Sequence, residues 1–377
     1  MKGVSGSLRV AIIGAGISGL ACAIELERHG ITPDIFEQRH RVGELFTHSA
    51  VFLQIMSRPI KDPVNELRKD YGIIVEPLNK LKKIIMHAPN VTGAVTGNMG
   101  YLVHLGQATK SVACQFLAQI KSPVHYNTKA EYAALAREYD YVIVATGNNQ
   151  VAKILGCWQD VYTPWVMGAT VQGSFDPCAM QMWLNTEYAK TGYAYLTPFN
   201  HKSATMALVV TGATRETIGD YWKRFWQVEK FDYQVNNIWD LQHNSGSVYP
   251  HQVGNILFAG NAGGFVEPTL GFALLAGIKS GVIAARAIVK GKSYEELLEK
   301  LKKTNRLTLP IRKSLNRAQN KDYDHLIALL IAPVIKQLTY NTNIDSLKIV
   351  ASLLNIYDRY LGAAPKKIES GDRRNDP

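Results

Sequence analysis

"VAIIGAGISGLACAIELERHG", residues 10–30, is the stretch on which the fold turns. The apolar run from Arg9 to Ile13 reads as a buried strand. Gly14-Ala15-Gly16-Ile17-Ser18-Gly19 then opens an apolar-periodic helix to about His29, which Gly30 ends. Ile31 to Phe36 makes a second strand, closed by Glu37 and followed by Gln38 and Arg39. Strand, G-x-G-x-x-G, helix, strand and acid in this order form a dinucleotide-binding unit. Gly14 permits the tight turn, Gly16 lets a pyrophosphate approach the backbone, and Gly19 lets helix and strand pack closely, with Ala15 and Ser18 completing the turn. The helix N-terminus supplies unpaired N–H groups and a positive dipole end. Glu37 is placed for the ribose hydroxyls.

Working outward, the chain does not continue with regular β-α units, as an NAD dehydrogenase would. Residues 39–60, "RHRVGELFTHSAVFLQIMSRPI", are irregular, and a strand resumes only in "YDYVIVATG", residues 139–147, ending at Gly147. That interruption favours a flavoprotein. A second glycine-rich turn follows near the other end, in "LFAGNAGGFVEPTLG", residues 257–271. Asn255 to Ala259 reads as a short buried strand, Gly260 to Gly264 as the turn, and Leu270 to Val289 as a long helix.

With Pro268, Gly271, Ala276, Ser280, Gly281, Ala284 and Ala285 in register, this segment resembles the geranylgeranyl reductase family of FAD-dependent oxidoreductases. That family belongs to the wider class folding like p-hydroxybenzoate hydroxylase. "GYAYLTPF", residues 192–199, is similar to the family's Y-x-W-x-F-P segment, with Tyr195 in place of the tryptophan and Thr197 in place of the phenylalanine. Asn261 stands where the family places aspartate, and Ala273 where it places a second glycine. No cysteine occurs between Cys22 and Cys114, where geranylgeranyl reductases often carry one.

The resemblance implies that Gly260 and Asn261 meet the ribityl chain and pyrophosphate of FAD. It also implies that the helix entered through Gly271 points at the flavin, and that hydride transfer at N5 reduces or dehydrogenates a hydrophobic, isoprenoid or lipid-like substrate. No second fingerprint offers a stable NAD(P)H site, so the electron donor is a transiently docking NAD(P)H or a protein carrier. An aromatic monooxygenase on the same fold is the alternative enzyme. A non-catalytic flavin-binding protein with a redox or membrane-associated role is the alternative of another class.

The expected architecture is α+β. A Rossmann-like FAD-binding domain (residues 1–150 and 250–292) carries an inserted antiparallel-sheet substrate domain (151–249). A C-terminal helical region (293–364) and a disordered tail (365–377) follow. Residues 165–173, 193–197 and 204–210 alternate as strands should, and the dense aromatic residues of 158–240 suit an apolar pocket. Tyr195 is singled out as the candidate catalytic residue, a phenol able to donate a proton or orient a substrate. His48, His104 and His201 read as structural or surface residues.

Composition bounds the remaining classes. The chain has 377 residues, 46% of them apolar, and a formal net charge of +11. Its four cysteines lack metal-like spacing, so no metal site is expected and the thiols read as reduced and cytoplasmic. Lys279 interrupts the longest apolar stretch, which excludes a spanning helix. Between Glu299 and Lys321 lie eight basic residues, Lys300, Lys302, Lys303, Arg306, Arg312, Lys313, Arg317 and Lys321. Beside apolar helices, that run suits peripheral contact with an anionic membrane surface. Nothing suggests reading of nucleic acid.

Overall fold

Val10–Ile13 is buried along its whole length because it is an inner strand of a six-stranded sheet. It pairs in parallel with Asp34–Phe36 on one side and Tyr141–Val144 on the other. Val124–His125 and Ile256–Phe258 extend the parallel order, and Gln252–Val253 closes one edge antiparallel. The computed structural model describes residues 8–352 except 44–45, 59–61, 341, 343 and 346. The expected tail at 365–377 and residues 353–364 of the expected helical region lie outside the described residues.

The helices Ile17–Arg28 and Leu274–Lys290 pack on each other and share one core with this sheet. Their contact is closer than side chains allow. A Cβ on Gly281 would stand 2.1 Å from the Ser18 carbonyl oxygen, so the helices can meet only across glycine. Ser280 beside it accepts the Gly260 N–H at 2.9 Å and donates to the Gly277 carbonyl oxygen at 2.8 Å, pinning the second turn to the helix. The small residues of the 276–285 segment are therefore packing requirements first.

The second helix begins at Leu274 rather than at the expected Leu270. The reason is the buried carboxylate of Glu267, which accepts the N–H groups of Thr269, Leu270 and Phe272 and winds residues 267–272 into a closed loop. Within that loop Gly271 has φ +75°, a left-handed conformation that a right-handed helix cannot run through, so the helix starts after it.

The second sheet has eight strands in the order 234–242, 165–172, 203–210, 193–198, 179–183, 79–87, 92–105 and 48–53. All neighbours are antiparallel except 79–87 with 179–183. Here the expected division of the chain needs correction. Residues 48–53, 79–87 and 92–105, assigned by sequence to the first FAD-domain segment, build three strands of the second sheet. The 48–53 strand lies inside the stretch that looked irregular, because its short alternating pattern sits between turn residues.

Beyond the second core helix, Glu299–Leu315, Asn320–Ile331 and Pro333–Tyr340 form the helical C-terminal region. Tyr323 and Ile327 bury against the second sheet's core, so this region buttresses the sheet. No helix among the described residues is long and apolar enough to cross a membrane.

Candidate active site

A cavity of about 800 Å³ runs from the first glycine turn to the face of the eight-stranded sheet. Gly14, Ala15, Gly16, Ser18, Glu37, Gln38, Arg39, Gly147, Asn261, Gly271 and Tyr195, all singled out from sequence, line it. Gly19 and Gly260 do not. A Cβ on Gly19 would meet the Gly14 carbonyl oxygen at 2.1 Å, and one on Gly260 would meet Ser18 Oγ at 2.3 Å. Both glycines allow close packing behind the cavity wall.

Gly14 and Gly16 differ sharply. Gly14 has φ +104° and a Cβ there would lie 2.5 Å from the Ala145 carbonyl oxygen, so the turn itself demands glycine. At Gly16 the nearest atom to an added Cβ, the same oxygen, is 3.9 Å away, so the missing side chain leaves room on the cavity side. Gly16 is also the N-cap of the first helix and offers no side chain to its amides, and the first turn carries no acid. Those N–H groups are left for an anion. The second core helix likewise begins at Ala273 without a side-chain cap.

Glu37 is buried at the end of its strand. One carboxylate oxygen accepts the Ala15 N–H at 3.0 Å and the other the Arg39 N–H at 3.0 Å, which ties the glycine turn to the strand that follows the helix. Arg39 donates to the Gly43 carbonyl oxygen at 3.2 Å. The Asn261 backbone carbonyl accepts the Gly264 N–H at 3.1 Å, and its side chain borders the cavity.

The far wall is supplied by the second sheet, with Val166, Met180, Met182, Tyr193, Tyr195 and Val209 facing inward. The edge strand adds Trp239, Leu241 and Gln242, and His243 and Asn244 follow directly after it. Trp239 stacks on Phe46 with ring centroids 4.9 Å apart. Tyr193 donates its hydroxyl to the Leu270 carbonyl oxygen, and burial holds its pKa well above the ordinary value, so this phenol stays protonated. Tyr195, 6.0 Å from the Tyr193 ring, keeps a face on the cavity.

Three lining residues that the sequence did not single out carry buried nitrogens with no hydrogen-bond partner, Asn149 Nδ2, Trp239 Nε1 and His243 Nε2. His48, read from sequence as structural, also lines the cavity, whereas His104 and His201 do not. Among the described residues no cluster of three or more His, Cys, Asp or Glu side chains is arranged to hold a metal ion.

A family model described as an NAD(P)-binding Rossmann-like domain matches residues 12–63. No curated protein matches. Among solved structures, a geranylgeranyl bacteriochlorophyll reductase-like protein from Thermoplasma acidophilum is 14% identical and aligns over 93% of this chain and 100% of its own, with a TM-score of 0.66. A flavin-dependent brominase is 14% identical over 93% of this chain and 99% of its own, at 0.64. Aklavinone-11 hydroxylase, solved as a ternary complex with FAD and aklavinone, is 13% identical over 86% of this chain and 71% of its own, at 0.58. These likenesses establish the fold, a Rossmann-like nucleotide domain joined to a large mixed sheet.

Proposed function

We propose that the chain is an FAD-dependent oxidoreductase that reduces or dehydrogenates a hydrophobic, isoprenoid or lipid-like substrate. The observation that carries this reading is the single cavity joining the Gly14–Ser18 turn to an apolar, aromatic wall. Its volume lies in the range of small-molecule and cofactor sites. The flavin named in similar structures supports it.

The residues present fit FAD. The open side of Gly16 and the uncapped amides of the Ile17–Arg28 helix suit a pyrophosphate. Glu37 and the unpartnered Asn149 amide suit ribose and adenine groups, and Asn261 has an acceptor and a donor for ribityl hydroxyls. When bound, FAD would supply hydride transfer at N5. The uncapped start of the Leu274–Lys290 helix would favour negative charge at its end of the cavity. Val166, Met180, Met182 and Val209 exclude water from the reacting region, and Tyr195 orients the substrate or donates a proton from its hydroxyl. Electrons would come from a transiently docking NAD(P)H or a protein carrier.

A second reading, an aromatic monooxygenase, is favoured by the aromatic part of the wall formed by Phe46, Tyr193, Tyr195 and Trp239. One experiment tests both: visible spectra of the purified protein, with and without NADPH, under air and under nitrogen. A yellow protein whose flavin band bleaches anaerobically and returns without substrate-dependent oxygen consumption supports the reductase. Substrate-dependent oxygen uptake with a hydroxylated product would replace it by the monooxygenase. A colourless protein that takes up no FAD would sink both.

A further inference from the structure

We propose that His243 is the polar anchor of the substrate site, hydrogen-bonding a hydroxyl or carbonyl oxygen on an otherwise apolar molecule. This rests on the cavity being the substrate site and narrows the substrate class to oxygen-bearing molecules, against hydrocarbons of the same shape.

The placement follows from the edge strand. Trp239 and Leu241 alternate on the strand and His243 directly follows its end at Gln242, and all three residues line the cavity. The His243 N–H donates to the Pro164 carbonyl oxygen at 2.9 Å, which extends the pairing past Gln242 and fixes the backbone that aims the ring. Nε2 comes to rest against Gly271, where an added Cβ would lie 2.9 Å away, at the loop leading into the second core helix. That nitrogen is buried and finds no partner among the described residues.

Its surroundings make the orphan informative. Leu241, Leu270, Phe272 and Tyr193 line the same part of the cavity, and the Tyr193 hydroxyl is already committed to Leu270. A buried polar atom without a partner is costly unless something satisfies it. Burial pushes the His243 pKa down to about 4, so the ring is neutral at physiological pH and presents one donor and one acceptor. Such a ring can pair with a hydroxyl in either role or with a carbonyl as donor, and it gives no reason to favour a carboxylate. An uncommitted polar group on a largely apolar wall sets orientation, and a site that uses one discriminates against analogues that cannot pair with it.

The test is calorimetric titration with 1-naphthol and with 1-methylnaphthalene, in which a methyl of similar size replaces the hydroxyl. It is run on the full chain with saturating FAD and without added FAD. The native protein should prefer 1-naphthol by about tenfold or more. In His243→Phe that preference should fall to within about twofold, while 1-methylnaphthalene affinity is retained and so reports an intact cavity. His243→Gln, which keeps a donor and an acceptor, should recover part of the preference. Equal affinities in the native protein, a preference that survives His243→Phe, or exclusion of both probes would overturn the proposal. Failure to take up FAD would overturn the flavoprotein reading alone, because the probe titration without FAD still stands.

Discussion

Gly14 and Gly16 sit two residues apart in one turn, yet the structure assigns them different duties, and substitution should separate them. Gly16→Val places its side chain into the cavity with no protein atom closer to its Cβ than 3.9 Å. The apoprotein should therefore fold with a near-native melting temperature and yet bind no FAD, read by flavin retention on a desalting column. Gly14→Ala meets the Ala145 carbonyl oxygen at 2.5 Å from a backbone with φ +104°, so it should lower stability by about 2–4 kcal/mol in urea unfolding whether or not FAD is present. If Gly16→Val keeps its flavin, the turn does not hold the pyrophosphate. His243 gives a residue-scale expectation of another kind. Its folded pKa of about 4 lies below the ordinary 6.5, so the stability that depends on the neutral ring is fully present above pH 6.5 and is lost as pH falls through 4. At about 1.4 kcal/mol per unit the loss is up to about 3 kcal/mol. His87, His104 and His251 are also shifted down by burial, so the native melting temperature falls for several reasons. The His243→Phe curve should fall less steeply between pH 6.5 and 4, and parallel curves would show that the ring is hydrated in the folded protein.

At the scale of elements, the helix Glu299–Leu315 reaches back to the loop bordering the cavity through Arg312 and through the Thr308 carbonyl oxygen, which accepts the Thr269 hydroxyl at 3.3 Å. Arg312 is buried and donates to the Thr269 carbonyl oxygen at 3.2 Å, the Thr191 carbonyl oxygen at 2.8 Å and Asn316 Oδ1 at 2.8 Å, with its guanidinium 4.5 Å from the centre of the Tyr162 ring. It thereby clamps the Glu267–Phe272 loop that borders the cavity. Arg312→Met should cost about 2–4 kcal/mol, because it leaves buried carbonyls unpaired, and should weaken FAD binding together with stability. Urea unfolding and an FAD titration on the same variant check this, and a stability loss below about 0.5 kcal/mol would place the clamp elsewhere. The same residue shows where sequence reading stops. The run around Arg312 reads as a solvated or membrane-facing charge cluster, since nothing local says that one position of an amphipathic helix faces a loop some forty residues upstream. The strand-turn-helix at 10–30 was legible because its glycine spacing and apolar periods are local. The sheet that the strands at 48–53, 79–87 and 92–105 join is not legible locally, because its link to the inserted segment, 79–87 with 179–183, spans some hundred residues of chain. His243 escaped notice for a similar reason: only the tertiary fold brings it, with Trp239, to the cavity wall.

For the whole molecule, the proposed hydrophobic substrate would have to reach the cavity, and the charge distribution bears on how. The sequence counts eight basic residues between Glu299 and Lys321, but the fold removes several from any surface role. Arg312 is buried, Lys302 is held by Glu295 at 2.9 Å and Glu299 at 3.3 Å, and Arg306 pairs with Glu299. Lys300, Lys303, Lys313 and Lys321 remain exposed, as does Arg317, and the following helices expose Leu329 and Val334. Each lysine close to an anionic bilayer contributes about 1 kcal/mol, fading over a Debye length of about 8 Å at physiological salt. Four such residues support weak, reversible attachment that is salt-sensitive, with the apolar side chains adding a salt-independent part. Co-sedimentation with vesicles containing phosphatidylserine should therefore exceed that with neutral phosphatidylcholine at low ionic strength and fall as salt rises. Changing Lys300, Lys303, Lys313 and Lys321 together to glutamine should remove most of the difference. Arg312→Met should not change vesicle preference at a temperature where the variant is folded, because a buried guanidinium has no access to lipid. Equal sedimentation with both vesicle types, or none with either at low salt, would leave the basic helix as a solvated face. Substrate would then have to reach the cavity from solution.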